Sequence, residues 1–337
     1  MREKIESTLV DLKQQNADDR EHLFDVHIAA LDRNHVGLGG RVLSETDRQE
    51  LHQALQSRVG GLTVDDSNVQ VLRRAEPLLM ANTTNLTSLH REPSWLAEQA
   101  NQLLYGVQVE ILEKQDKWAF VRCMDGYLGW AYLHYFTPAV LPPATHLVTA
   151  PVSWLRSEPN AESSLLTRVL GGTFVYLEGL QGEWAKILAN QTGWVHTDDL
   201  RNLQNIPVTA SQRRTQMVAD AFRMLGVPYL WGGVSAHGID CSGFAQLVHR
   251  WSGMTLRRDA DMQMADGKPV EQPQLQPGDL VFFGENGDRR EITHVGISLG
   301  GWDIIHSSRS RNGVYTDNIQ AVKDLRESFV GAATYLV

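Results

Sequence analysis

The chain has 337 residues, with 31 Lys and Arg against 40 Asp and Glu, for a formal net charge of −9. That balance argues against nucleic acid as a partner, because phosphate binding needs a basic surface, and the length calls for several domains. Hydrophobic residues at 42% and charged residues at 21% are ordinary for a globular protein. Taking the chain in order, the N-terminal run Met1-Arg-Glu-Lys-Ile-Glu-Ser-Thr-Leu-Val-Asp-Leu-Lys13 lacks the apolar core of a signal peptide, and no later run is long and apolar enough to span a membrane. A cytoplasmic location without membrane insertion is the expectation. Residues 1–78 read as a mainly helical segment. Ile5, Leu9 and Leu12 share a helical face, Gly37, Gly39 and Gly40 break the first stretch, and Ser44-Glu-Thr-Asp47 leads into Leu51 and Leu55. Short strands follow at Leu62–Val64 and Val69–Leu72.

Residues 79–140 and 145–203 then show one pattern twice. Leu155-Arg-Ser-Glu-Pro159 echoes Leu89-His-Arg-Glu-Pro93, Gly182-Glu-Trp-Ala-Lys-Ile187 echoes Asp116-Lys-Trp-Ala-Phe-Val121, and Thr192-Gly-Trp194 echoes Leu128-Gly-Trp130. Alternating apolar residues and turn signals make this a duplicated small all-β unit, with Leu141-Pro-Pro143 as linker. The copies resemble bacterial SH3-like domains, which implies two small β-barrels.

Residues 208–337 read as an α+β region, helix first and sheet after. A helix over Ser211–Leu225 stops at Gly226 and Pro228, and the loop Tyr229-Leu-Trp-Gly-Gly-Val-Ser-Ala-His-Gly-Ile-Asp240 runs into Cys241. Phe244, Leu247, Val248 and Trp251 have helical spacing, so Cys241 stands in the first turn of a helix that Gly253 ends. Unpaired N–H groups and the positive end of the helix dipole favour a thiolate there. The other cysteine, Cys123, is remote, which argues against a disulfide framework or a thiolate metal site; no metal or cofactor is called for.

A cysteine nucleophile needs a histidine to take its proton and a third group to orient that histidine. His294 lies on the alternating strand Ile292–Leu299 and His306 on the return strand Trp302–His306. A three-residue loop, Leu299–Gly301, would pair the two histidines directly, while a two-residue loop would put them on opposite faces, so a shared face requires the odd loop or a bulge. The roles are then Cys241 as nucleophile, His294 as base and acid, and His306 as orienter. Asp240 and Ser242, which flank the nucleophile, either cap the helix or hold substrate.

Gly238-Ile-Asp-Cys-Ser-Gly-Phe244, with Pro228-Tyr-Leu-Trp-Gly-Gly233, Gln276-Pro-Gly-Asp-Leu-Val-Phe-Phe283, Thr293-His-Val-Gly-Ile297 and Ile305-His-Ser-Ser308, resembles the NlpC-type cysteine peptidases in the family's order. The resemblance implies a papain-like catalytic domain and a triad of Cys241, His294 and His306. Two SH3-like domains ahead of it resemble the γ-D-glutamyl-L-diamino acid endopeptidases. By that resemblance Tyr127 and Glu92 recognise a free L-alanine amine, and Tyr229, Trp231, Asp240, Ser242 and Asp259 line the peptide site. The implied reaction is hydrolysis of the γ-D-glutamyl–diamino acid bond of murein peptides in cell-wall turnover or recycling. The rival readings are another cell-wall amidase or acyltransferase with the same triad, and an inactive wall-binding protein.

Overall fold

The computed structural model describes residues 1–138, 141–271, 274–285 and 291–336. They form two compact units, residues 1–80 with 108–133 and residues 81–107 with 134–337. The expected domain ends at 140 and 337 lie outside the described residues.

The first unit opens with helix α1 (Arg2–Gln15), strands Phe24–Asp32 and His35–Val42, helix α2 (Glu45–Arg58) and strand Thr63–Val71. The expectation of a mainly helical segment is corrected: this is an α/β layer. His35–Val42 is the central strand, antiparallel to Phe24–Asp32 and parallel to Thr63–Val71, with α2 as the crossover. The glycines read as breaks lie inside that strand. Gly40 has φ +122° and sits where a Cβ would come within 2.0 Å of the Asp25 carbonyl oxygen, so the backbones meet where no side chain fits. Ile5, Leu38, Leu51 and Leu55 are fully buried between helices and sheet. Ser44 and Asp47 cap α2 reciprocally: each side chain accepts from the other's backbone N–H. A meander of Gln108–Gln115, Trp118–Cys123 and Leu128–Tyr132 completes this unit.

The second unit holds the hairpin Leu86–His90/Gln99–Leu104 of the first copy, the whole second copy and the C-terminal region. In the second copy the strand order is 165–170, 152–156, 192–196, 184–188, 174–181, 146–148, 200–202. The expectation of two barrels is overturned, because among the described residues the strands of each copy follow one another in an open order whose last strand does not pair with the first. Closure needs the last strand to pair with the first in a staggered register. In the second copy Leu200–Asn202 has only three residues, and they are engaged with His146–Val148.

The C-terminal region is α+β as expected. Its helices are α3 (Ala210–Phe222), α4 (Cys241–Trp251), α5 (Ala260–Asp266) and α6 (Lys323–Ser328). Its six strands pair antiparallel in the order 268–270, 329–334, 280–284, 292–300, 303–308, 313–318. Phe244, Val248 and Trp251 of α4 are fully buried in one core with Phe282, Val295 and Ile305 of the sheet. The second copy holds this core from behind. Arg201 donates to both oxygens of the fully buried Asp220 at 2.9 Å and to the Trp251 carbonyl, and Trp251 Nε1 donates to the Val148 carbonyl at 2.9 Å.

Candidate active site

Cys241 is the first residue of α4, and Asp240 is its N-cap with extended backbone, accepting from the Gly243 N–H at 2.7 Å. The capping reading of Asp240 is therefore realised. Gly243 is required by packing, since a Cβ there would lie 2.2 Å from the Gly233 carbonyl oxygen. The same Asp240 carboxylate accepts from the Gly232 N–H at 2.8 Å and from both terminal nitrogens of Arg258 at 3.1 and 2.5 Å. Arg258 also donates to Ser242 Oγ and to Asn101 Oδ1, each at 2.8 Å. Arg258 is 1% exposed and Asp240 4%. Buried charges must be paired, so this pair locks loop, helix start and strand Gln99–Leu104 together around Cys241.

His294 and His306 lie on neighbouring strands and share a face. The hairpin turns over two residues, Gly301 and Trp302, with a bulge at Leu299. The bulge alternative is thus the one used, and the direct pairing is corrected: Ile297 opposes Ile305, which sets Gly296 opposite His306 and His294 diagonal to it. Gly296 keeps the space beside His306 open. A Cβ there would meet Ile304 Cδ1 at 3.2 Å and His306 Cβ at 3.3 Å, a tight approach. His294 Nε2 lies 2.8 Å from His306 Nδ1, and His306 Nε2 lies 3.2 Å from Asp317 Oδ2. Ser307 Oγ donates to the Ile239 carbonyl at 2.7 Å, tying the His306 strand to the loop that ends at Cys241.

The backbone N–H groups of Val295 and Ser242 reach the Cys241 sulfur and favour its thiolate, but burial outweighs them. Burial first, and the Asp240 charge second, push the Cys241 thiol up to about 12. Burial, with the neighbouring His306, pushes His294 down to about 3, and burial with Arg311 brings His306 to about 4. The thiolate favoured by the helix start gives way to a neutral thiol, and the His294 imidazole is neutral as well. A neutral thiol becomes a nucleophile only as its proton passes to a base while the sulfur bonds to carbon. Among the described residues no group of three or more His, Cys, Asp or Glu is placed to hold a metal ion.

Residues 226–332 match the NlpC/P60 family, residues 89–132 the bacterial dipeptidyl-peptidase Sh3 domain and residues 155–201 the bacterial SH3 domain. The chain has an NlpC/P60-family cysteine-peptidase fold with associated bacterial SH3-like domains. It is related to the γ-D-glutamyl-diamino acid endopeptidases. It is 29% identical over 267 residues to a γ-D-glutamyl-L-lysine dipeptidyl-peptidase of Bacillus cereus, covering 73% of this chain and 78% of that protein. It is 25% identical over 251 residues to dipeptidyl-peptidase 6 of Lysinibacillus sphaericus, covering 69% of this chain and 89% of that protein. A crystal structure of an NlpC/P60 family protein from Bacillus cereus shares the fold, with a TM-score of 0.68 at 24% identity over 77% of this chain and 100% of that one.

Around Cys241 of this NlpC/P60 domain, burial raises the Tyr229 phenol to about 12. Trp231 is half exposed and donates from Nε1 to Glu98 at 2.7 Å. The Arg309 guanidinium lies over both rings, 5.4 Å from the centre of Tyr229 and 5.1 Å from that of Trp231. Ser242 is buried and held by Arg258, and Asp259 precedes α5 as its N-cap residue. Glu92 is exposed in the turn before Gln99–Leu104, while Tyr127 is 2% exposed in the first unit. The sequence reading missed Glu98, Gln99, Asn101, Arg258, Arg309 and Asp317. A signal for Arg258 existed: a buried Asp240 needs a cation, and Arg257-Arg258 follows one helix later.

Proposed function

We propose that the chain hydrolyses the γ-D-glutamyl–diamino acid bond of murein peptides that begin with a free L-alanine. Membership in a cysteine-peptidase family acting on peptidoglycan-related substrates supports the chemistry. The relatives named for γ-D-glutamyl dipeptide release support the bond. The observation that carries the reading is the 2.8 Å contact of His294 Nε2 with His306 Nδ1 on the strand whose Val295 N–H faces the Cys241 sulfur.

In this reading the Cys241 sulfur bonds to the γ-carbonyl carbon while its proton passes to His294 Nδ1. The C–N bond breaks, and His294 returns the proton to the departing amine, which leaves a thioester. Water, deprotonated by His294, then attacks the thioester carbon and releases the dipeptide, and the thiol is restored. Tyr127 and Glu92 take the alanine ammonium, and Tyr229, Trp231, Ser242 and Asp259 line the peptide, as the resemblance implies.

The test is release of the diamino acid from L-Ala-γ-D-Glu-diaminopimelate. Cys241→Ala is expected to lose at least about a thousandfold in kcat, and full activity in it would remove the nucleophile. N-acetylation of the alanine is expected to abolish cleavage; equal rates on the acetylated peptide would refute the free-amine requirement while leaving the peptidase chemistry standing.

A further inference from the structure

We propose that Asp317 is a positioning residue for this hydrolysis: it holds the proton of His306 on Nε2, so that His306 can accept from His294. The inference rests on the Cys241–His294–His306 reading. A neutral imidazole has one N–H and one lone pair. His294 spends Nε2 on His306, which leaves Nδ1 as the nitrogen that takes the thiol proton. For Nδ1 to be a base, the His294 proton must sit on Nε2 and be donated to His306 Nδ1. His306 Nδ1 must then present its lone pair, and the His306 proton must sit on Nε2.

Alone, imidazole exchanges readily between its two tautomers. Here His306 Nε2 faces Asp317 Oδ2 at 3.2 Å, and an ionised carboxylate only accepts. Asp317 thus rewards the one tautomer that keeps the relay pointing toward sulfur. Asp317 is itself fixed. Its other oxygen accepts from Arg311, whose guanidinium stacks 3.8 Å from the Tyr315 ring centre, and Tyr315 packs edge-on against His306 with centroids 4.8 Å apart. The groups facing His306 are therefore His294 from one neighbouring strand, Asp317 and Tyr315 from the other, and Arg311 from the turn between. Gly313–Asn318 pairs with Asp303–Ser308 along its whole length, with Ile304 opposite Asp317, so the backbone holds the carboxylate beside the ring.

The experiment joins kinetics with a tautomer measurement. In Asp317→Leu, kcat on L-Ala-γ-D-Glu-diaminopimelate is expected to fall about 10- to 100-fold, the usual loss when a partner that orients a histidine is removed, with KM changed less than about twofold. Imidazole nitrogen NMR of the wild-type chain is expected to show His306 protonated on Nε2 and unprotonated on Nδ1. A wild-type His306 carrying its proton on Nδ1, or an Asp317→Leu enzyme with unchanged kcat, overturns the proposal. If the variant does not fold, the wild-type spectrum alone decides. An active Cys241→Ala would instead sink the parent reading, and the two failures are distinct.

Discussion

The edge hairpins of the two SH3-like copies are the same piece of chain used in opposite ways. Leu86–His90 pairs with Gln99–Leu104 in the first copy and Val152–Arg156 with Leu165–Leu170 in the second, each with a bulge in the outer strand, at Ala100 and Leu166. In the first, the outer strand is almost wholly buried. Gln99 Nε2 donates to the Trp231 carbonyl at 2.9 Å, Asn101 Oδ1 accepts from Arg258, and Gln102 Oε1 accepts from the Val234 N–H at 3.2 Å. In the second, Leu165, Leu166 and Arg168 are exposed, and Trp154 beneath Arg168 is 48% exposed. The second copy grips the peptidase region with another edge, through Arg201 and the Val148 carbonyl. One small fold thus serves as a front wall at the loop that leads into Cys241 and as a brace behind α4. Which role it takes depends on amide side chains that can satisfy a loop's backbone.

The sharpest way to break that comparison is to remove the cation of each grip. Arg258→Leu removes the cation from the buried Asp240 and is expected to cost about 3–5 kcal/mol in denaturant unfolding, whereas Arg201→Leu leaves Asp220 with Arg223 at 3.6 Å and Gln216 at 3.1 Å and is expected to cost less. The front variant should also lose kcat, since Arg258 holds the turn that carries Cys241, whereas the folded fraction of the rear variant should keep it. Equal kcat in both would erase the distinction.

Acid comes next and acts on the core between the grips. Burial lowers His249 and His306 to about 4 and His294 to about 3, below the ordinary 6.5. Between those limits the unfolded chain binds more protons than the folded one, so stability rises with pH there. Stability from these groups is complete above pH 6.5 and is lost as pH falls toward 4 and then 3. Urea midpoints measured across that window should fall with acid and should be level just above it.

The smallest effect separates the two edges directly. Asn101→Leu leaves Arg258 Nε without its acceptor and should cost about 1–3 kcal/mol. Leu165→Ala, at the position of the second copy that matches Gln99, should stay within about 0.5 kcal/mol. Equal losses in thermal unfolding would make the edges equivalent.

Much of this was legible in the sequence. The duplication, the helix that starts at Cys241 and the strands of His294 and His306 follow from spacing and turn residues. The front wall was not, because Gln99, Asn101 and Gln102 form no periodic signal and their partners lie more than a hundred residues away. The N-terminal sheet was missed because its glycines look like breaks, when they mark a close approach of two strands. Open rather than closed sheets could not be read either, since alternation reports which face is buried and says nothing of whether the last strand reaches the first.

By itself, then, the sequence determined the local chemistry: a cysteine in the first turn of an amphipathic helix, and two histidines able to share a face if a bulge intervenes. Tertiary structure decided the rest. It chose the bulge, which puts Gly296 opposite His306 and His294 diagonal to it. It left the Cys241 thiol and the His294 imidazole neutral, because desolvation is a property of everything packed around a group and outweighs the helix N-terminus that sequence alone reveals. It also brought Asp317 to the far side of His306, a contact set by strand register that no local pattern announces.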